Sequence, residues 1–183
     1  EIEAVNAKNK EITLLKGLEV DILPDGSLDC ADSLLEKLDY VVASVHSSFK
    51  MSQEEMTKRI IKAIANPYVT MLGHPTGRLL LAREPYAIDL EKIIAACQRF
   101  GVVLEINANP QRLDLDWYWA RKAYQQGVLL AINPDAHRLS GFEYTQYGVD
   151  VARKAGLPKD AILNTQNLNQ VRRSLKRLKS SAD

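Results

Sequence analysis

Residues 101–110 read GVVLEINANP, and this stretch decides the fold. Gly101 suits the residue just past a helix end, where a left-handed backbone is needed. Val102–Ile106 is a strand-length run rich in β-branched and apolar residues, and Asn-Ala-Asn-Pro is turn chemistry. Upstream, Asp89 caps a helix whose apolar face is Leu90, Ile93, Ile94 and Cys97. Downstream, Asp114 or Asp116 opens another helix through Trp117, Ala120 and Tyr124 to Gly127. A strand apolar on both faces and flanked by helices belongs to a parallel sheet.

The same unit recurs along the chain. Ile12–Val20, Tyr40–Val45, Tyr68–Leu72 and Val128–Ile132 read as further strands, with Ala161–Asn164 as a short sixth. Ser52 and Glu55 form a capping box ahead of Met56, Ile60, Ile61 and Ile64. Gln146–Ala155 and Asn167–Leu178 read as the last helices, and residues 1–10 as the end of a helix. Strand ends fall roughly 30 residues apart, the length of one βα unit. The fold class is therefore α/β, a barrel or a doubly wound sheet, in a single domain over residues 1–183. A full eight-unit barrel needs about 200 residues or more.

Composition removes several classes of function. Lys and Arg number 24 against 23 Asp and Glu, a net charge of +1, so the chain is not polybasic. With 46% apolar and 26% charged residues it is globular rather than disordered. No apolar run approaches the ~20 residues that span a bilayer, so no membrane partner is expected. Glu1-Ile2-Glu3 shows no secretory leader, and Cys30 and Cys97 lack metal or redox spacing. A cytoplasmic protein with two ordinary buried thiols is the expectation.

The chain has three histidines, and each follows an expected strand: His46, His74 and His137. Glu19, Glu105, Asn107 and Asp135 occupy matching positions. Parallel α/β folds gather ligands at the carboxyl ends of their strands. Imidazoles and carboxylates converging there are what zinc, manganese or iron requires. Strand alternation leaves Glu105 open to an outward orientation, with Asn107 facing the rim. Arg78 and Arg112, a few residues past rim positions, are candidates to grip phosphate.

GLEVDIL (17–23), ASVHSSF (43–49), GHPTGRLL (73–80), LEINANPQRLDLDW (104–117) and NPDAH (133–137) follow in this order. Together they resemble the polymerase and histidinol phosphatase (PHP) domain, and most of all the version found in bacterial family X DNA polymerases. The resemblance implies a distorted (β/α)7 TIM-like barrel with up to three divalent metals, manganese or zinc, at the strand ends. Of nine family ligands five match here: Glu19, His46, His74, Asp135 and His137. The others are expected to precede Glu1, which makes this chain an N-terminally incomplete barrel. One metal is implied at Glu19, His46 and His74. A second would share Glu19 and Asp135 with missing residues, and a third would use His137.

The implied activity is metal-dependent hydrolysis of DNA 3′ ends, as exonuclease, 3′-phosphatase and abasic-site endonuclease in DNA repair, and it is expected to be crippled in this chain. Asp135 would bind metal and position water, His137 would bind metal or carry a proton, and Asn107 would bond substrate, water or a metal-held oxygen. The implied partners are DNA, at primer-template or gapped 3′ ends, and a polymerase core of the same polypeptide. The alternatives are a small-molecule phosphomonoesterase and a non-catalytic domain supporting a polymerase. The basic run Arg172–Lys179 reads as the solvated face of a helix with Val171, Leu175 and Leu178 inward. Trp117, Tyr118 and Trp119 read as helix packing, and Met51, Met56 and Met71 as core.

Overall fold

The computed structural model describes residues 1–9 and 11–175. Five strands, β1 (Gly17–Asp21), β2 (Tyr40–Ser44), β3 (Met71–Leu72), β4 (Val103–Asn107) and β5 (Leu130–Asn133), form one parallel sheet in chain order. The described helices are α1 (Ile2–Lys8), α2 (Asp32–Leu35), α3 (Gln53–Ala65), α4 (Leu90–Phe100), α5 (Trp117–Gln125), α6 (Thr145–Lys154) and α7 (Leu168–Leu175). The strand order runs through without the reversal that marks the switch point of a doubly wound sheet. Among the described residues no helix is long and apolar enough to cross a membrane.

Alternation along the strands gives the sheet two different faces. Val20, Val41, Ala43, Leu72, Leu104, Ile106, Leu130 and Ile132 point to the helix side. There they meet Met56, Ile60 and Ile64 of α3 and Ile93, Ile94 and Cys97 of α4, all essentially without solvent contact. Each such aliphatic side chain contributes about 2 kcal/mol of burial. The opposite face is graded along its length. Val42, Met71 and Val103 are apolar and lie in register across β2 to β4, and Ala131 of β5, opposite Glu105, continues the apolar surface, with Leu163, Leu175 and half-buried Val171 packing on this side. Toward the carboxyl ends the same face carries Glu19, Asp21, Ser44, Glu105, Asn107 and Asn133. The polar end of a two-faced sheet is where the site forms.

Local chemistry sets the helix boundaries. The Glu55 N–H donates to Ser52 Oγ (3.3 Å) and the Ser52 N–H to Glu55 Oε2 (3.0 Å), the reciprocal box expected for α3. Asp89 caps α4 by accepting from the Lys92 N–H (3.1 Å), and Gly101 ends it at φ 65°. Asp116 rather than Asp114 caps α5, accepting from Tyr118 and Trp119 N–H groups (2.9 and 3.1 Å). Asp114 is fully buried and takes the Thr76 N–H instead.

Several expected elements differ. Residues 12–16 run outside the sheet, and the Asn6 side chain bonds Leu14 N and O (both 2.8 Å) in place of a ladder. β3 covers only Met71–Leu72; beside it the Thr70 hydroxyl accepts from Val41 N–H and donates to Val41 O (both 2.9 Å), while the Thr70 backbone still bonds Val41 O and Val103 N. Ala161–Asn164 is no strand. It forms two 3-10 turns joined to the sheet by one bridge, Leu130 to Ile162. There the Asn164 side chain replaces the ladder, accepting from Ile132 N–H (2.7 Å) and donating to Ile132 O (2.8 Å). Helix α6 is preceded by a 3-10 turn over Leu139–Tyr144, and the short α2 was not expected. Cys97 is buried but Cys30 only half-buried, and neither is in a disulfide. Met56 and Met71 are core and Met51 packs against it half-buried, while Trp117 and Tyr118 are 39% and 47% exposed and only Trp119 packs inward. Lys10 and the part of the basic run from Lys176 to Lys179 lie outside the described residues.

Candidate metal centre

Glu19 stands in β1, His46 two residues past β2, and His74 two residues past β3. Pairing of β1 with β2 and of β2 with β3 therefore sets all three side by side at the carboxyl edge. His46 Nε2 and His74 Nε2 lie 3.2 Å apart. Glu19 Oε1 is 3.3 Å from His74 Nε2 and 3.7 Å from His46 Nε2. Tetrahedral ligands bound at about 2.0–2.1 Å stand about 3.3 Å from one another. Two imidazole nitrogens and a carboxylate oxygen at these separations can hold a divalent metal, and all three ligand atoms fall within 4.8 Å of one another.

Close approach at His74 depends on its neighbour. A Cβ on Gly73 would lie 2.3 Å from Ser44 Oγ and 2.9 Å from Val42 Cγ1, so only glycine lets the end of β3 settle against β2. His74 itself sits at φ 22°, in left-handed territory that its surroundings must enforce.

Electrostatics favour a cation. The hydrogen bond from His74 pulls the Glu19 carboxyl down to about 2, with the Ser44 hydroxyl adding to this and burial opposing it. Burial works against a charged His74, but the Glu19 bond and the nearby Glu105 and Glu19 carboxylates leave its pKa above the ordinary imidazole value. The pocket thus attracts positive charge, as a proton or as a metal.

Asp21 is a residue the sequence reading passed over. Its Oδ1 lies 2.6 Å from His46 Nδ1, so it fixes the ring with Nε2 turned toward the centre. Residues i and i+2 of a strand share a face, so Glu19 alone could have pointed to Asp21. Arg59 was also missed. It is 2% exposed on α3, and its guanidinium donates to Leu23 O and Ser47 O (both 2.9 Å) and to Ile22 O. Those carbonyls immediately follow Asp21 and His46, so Arg59 ties together the two strand ends that supply them.

The other expected residues form a second group. Glu105 does not turn outward: residues 105 and 107 have the same parity, and both lie buried on the polar face. Glu105 accepts from the His74 N–H (2.5 Å), Asn133 Nδ2 (2.8 Å) and Asn107 Nδ2 (3.2 Å), and burial raises its pKa. Asn107 is 1% exposed and also donates to Asp135 Oδ2 (3.2 Å), so its amide is spent inside the protein. Arg112 Nε stands 3.5 Å from Asp135 Oδ2, while its buried Nη1 has no partner. Arg78 is committed elsewhere, donating to Arg112 O (2.8 Å) and Leu113 O, and so braces the loop that carries Arg112. His137 is exposed, with Nδ1 3.0 Å from the Asp135 carbonyl, and is not drawn into the Glu19–His46–His74 cluster.

Fold and site together define a parallel α/β protein with a metal-competent centre at its strand ends. Comparison with known proteins narrows this. A probable phosphatase of Thermoanaerobacter sp. (strain X514) is 34% identical over 188 residues, 97% of this chain and 74% of that protein. A probable phosphatase of Caldanaerobacter subterraneus is 31% identical over 174 residues, covering 90% of this chain and 66% of that protein. The chain belongs to the family of these probable phosphatases. The DNA polymerase/3'-5' exonuclease PolX of Bacillus subtilis (strain 168) is 43% identical over 177 residues, 97% of this chain. The chain spans 31% of the length of that relative. No protein-family profile matches the sequence.

Proposed function

We propose that the chain is a PHP-type, metal-dependent phosphoesterase domain that hydrolyses DNA 3′ ends. The observation that carries this reading is the convergence of Glu19, His46 and His74 on one point at three successive strand ends. The 43% identity to a protein named for 3'-5' exonuclease activity supports the choice of DNA.

Glu19, His46 and His74 would hold the ion, manganese or zinc. A divalent metal supplies Lewis acidity toward a phosphoryl oxygen and makes nearby water a stronger acid. Asp21 keeps His46 in the tautomer that offers Nε2. Arg112, with Nη1 unpartnered beside Asp135, would receive a non-bridging phosphate oxygen. Asp135 would orient the attacking water through its Oδ1, and His137 would take up or return a proton at its exposed imidazole. Any further ions implied by the PHP resemblance would draw on Asp135 and His137. The polymerase portion of the B. subtilis relative suggests a polymerase core as partner in the same polypeptide. Cys30 and Cys97, neither of them in a disulfide, accord with a reducing cytoplasm.

A second reading, hydrolysis of small phosphomonoesters, is favoured by the relatives named probable phosphatases, one of which this chain covers to 74%. The deciding experiment compares manganese-dependent release of 3′ nucleotides from a labelled oligonucleotide with release of phosphate from nucleoside monophosphates. Turnover of the oligonucleotide that His74→Ala abolishes supports the DNA reading. Turnover of monophosphates alone supports the second. No metal-dependent hydrolysis by the full-length protein overturns both.

A further inference from the structure

One buried carboxylate outside the metal cluster touches both halves of the site. Glu105 is 5% exposed in β4, yet its apolar neighbours on that face, Val103 and Ala131, show that a hydrocarbon would fit the sheet. Burying an acid there opposes folding unless its oxygens are fully bonded, so stability alone does not call for it. Three donors meet it: the His74 N–H and Asn107 Nδ2 on Oε2, and Asn133 Nδ2 on Oε1. Every partner is a donor, which suits an acceptor-only carboxylate and frustrates an amide.

We infer that Glu105 is a positioning residue that locks His74 into its ligating pose and, through Asn107, sets the height of Asp135. The inference rests on the metal-centre reading above. His74 holds φ 22° because its own N–H is anchored at 2.5 Å to a carboxylate that cannot move within β4. Asn107 divides its amide between Glu105 and Asp135, both at 3.2 Å, so a shift of Glu105 reaches the Arg112–Asp135 pair. Glu105 itself, with both oxygens taken, is not a ligand.

The test compares Glu105→Gln with wild type in two measurements. In the metal-free chain the His74 amide proton should resonate far downfield, as a proton held by a carboxylate does. It should move upfield in Glu105→Gln, with the His74 ring and Asn107 side-chain signals moving too. Cobalt(II) affinity should fall about 10–100-fold, with altered d–d bands at saturation. Ile93→Ala, a core change on α4, should lose stability but leave cobalt affinity unchanged. A folded Glu105→Gln whose cobalt affinity stays within twofold of wild type, or whose His74 amide does not move, overturns the inference. If Glu105→Gln does not fold, Asn133→Ala replaces it: a severalfold loss of cobalt affinity supports the role and no change overturns it. If the wild type binds no cobalt, the metal reading falls, and the amide-proton comparison alone decides whether Glu105 positions His74.

Discussion

Replacing Asp21 with alanine should weaken metal binding without unfolding the protein. Its carboxylate lies 2.6 Å from His46 Nδ1, the length of a charge-assisted hydrogen bond. Such a bond is worth about 1.5–3 kcal/mol when shielded. Asp21 and His46 side chains are 46% and 38% exposed, so solvent screening brings this to about 1–1.5 kcal/mol. At 1.4 kcal/mol per decade, Asp21→Ala should raise the metal Kd about tenfold. Asp21→Asn keeps one acceptor oxygen but loses the charge, and should cost about threefold. The assay is isothermal titration of manganese or zinc into metal-free protein, with circular dichroism to show an unchanged fold. A Kd within twofold of wild type for Asp21→Ala would refute the view that this carboxylate holds the imidazole in place. So would equal losses for the alanine and asparagine variants.

Arg59→Met should remove donors from three carbonyls and lower stability by about 2–4 kcal/mol, a drop of about 1–2 M in the urea midpoint. A shift near zero would show that the buried guanidinium ties nothing together. Metal affinity should also fall as pH drops, because His74 must shed a proton from Nε2 to bind. Its pKa is raised, so proton competition begins above the pH at which an ordinary imidazole protonates, and affinity should already be falling there. An affinity that stays flat until the ordinary imidazole range is reached would contradict it. Asn107→Ala leaves Glu105 and Asp135 each one donor short and should cost about 1–3 kcal/mol in urea unfolding, together with activity. Lost activity at unchanged stability would instead place Asn107 against substrate.

The sequence exposed the candidate ligands more readily than what holds them. Glu19, His46 and His74 could be read because each follows a β-branched run, and strand ends in a parallel sheet share one edge. The caps at Ser52, Asp89 and Gly101 were equally plain, since their chemistry is complete within four residues. Asp21 was legible in principle from the two-residue period. Glu105 stayed open because its parity was counted against Asn107 rather than with it. Arg59 could not be read, because an arginine on an amphipathic helix looks solvated until the loops it clamps fold over it. Where the Asn164 side chain replaces backbone rungs, strand length is decided by tertiary contacts that no local pattern carries.

The most direct test of the metal centre is the titration of metal-free wild type and His74→Ala with manganese or zinc, read as ions bound per chain. The geometry of Glu19, His46 and His74 predicts an ion in the wild type that is lost in His74→Ala while the fold persists. No binding by the wild type, or a site that His74→Ala leaves intact, would contradict it.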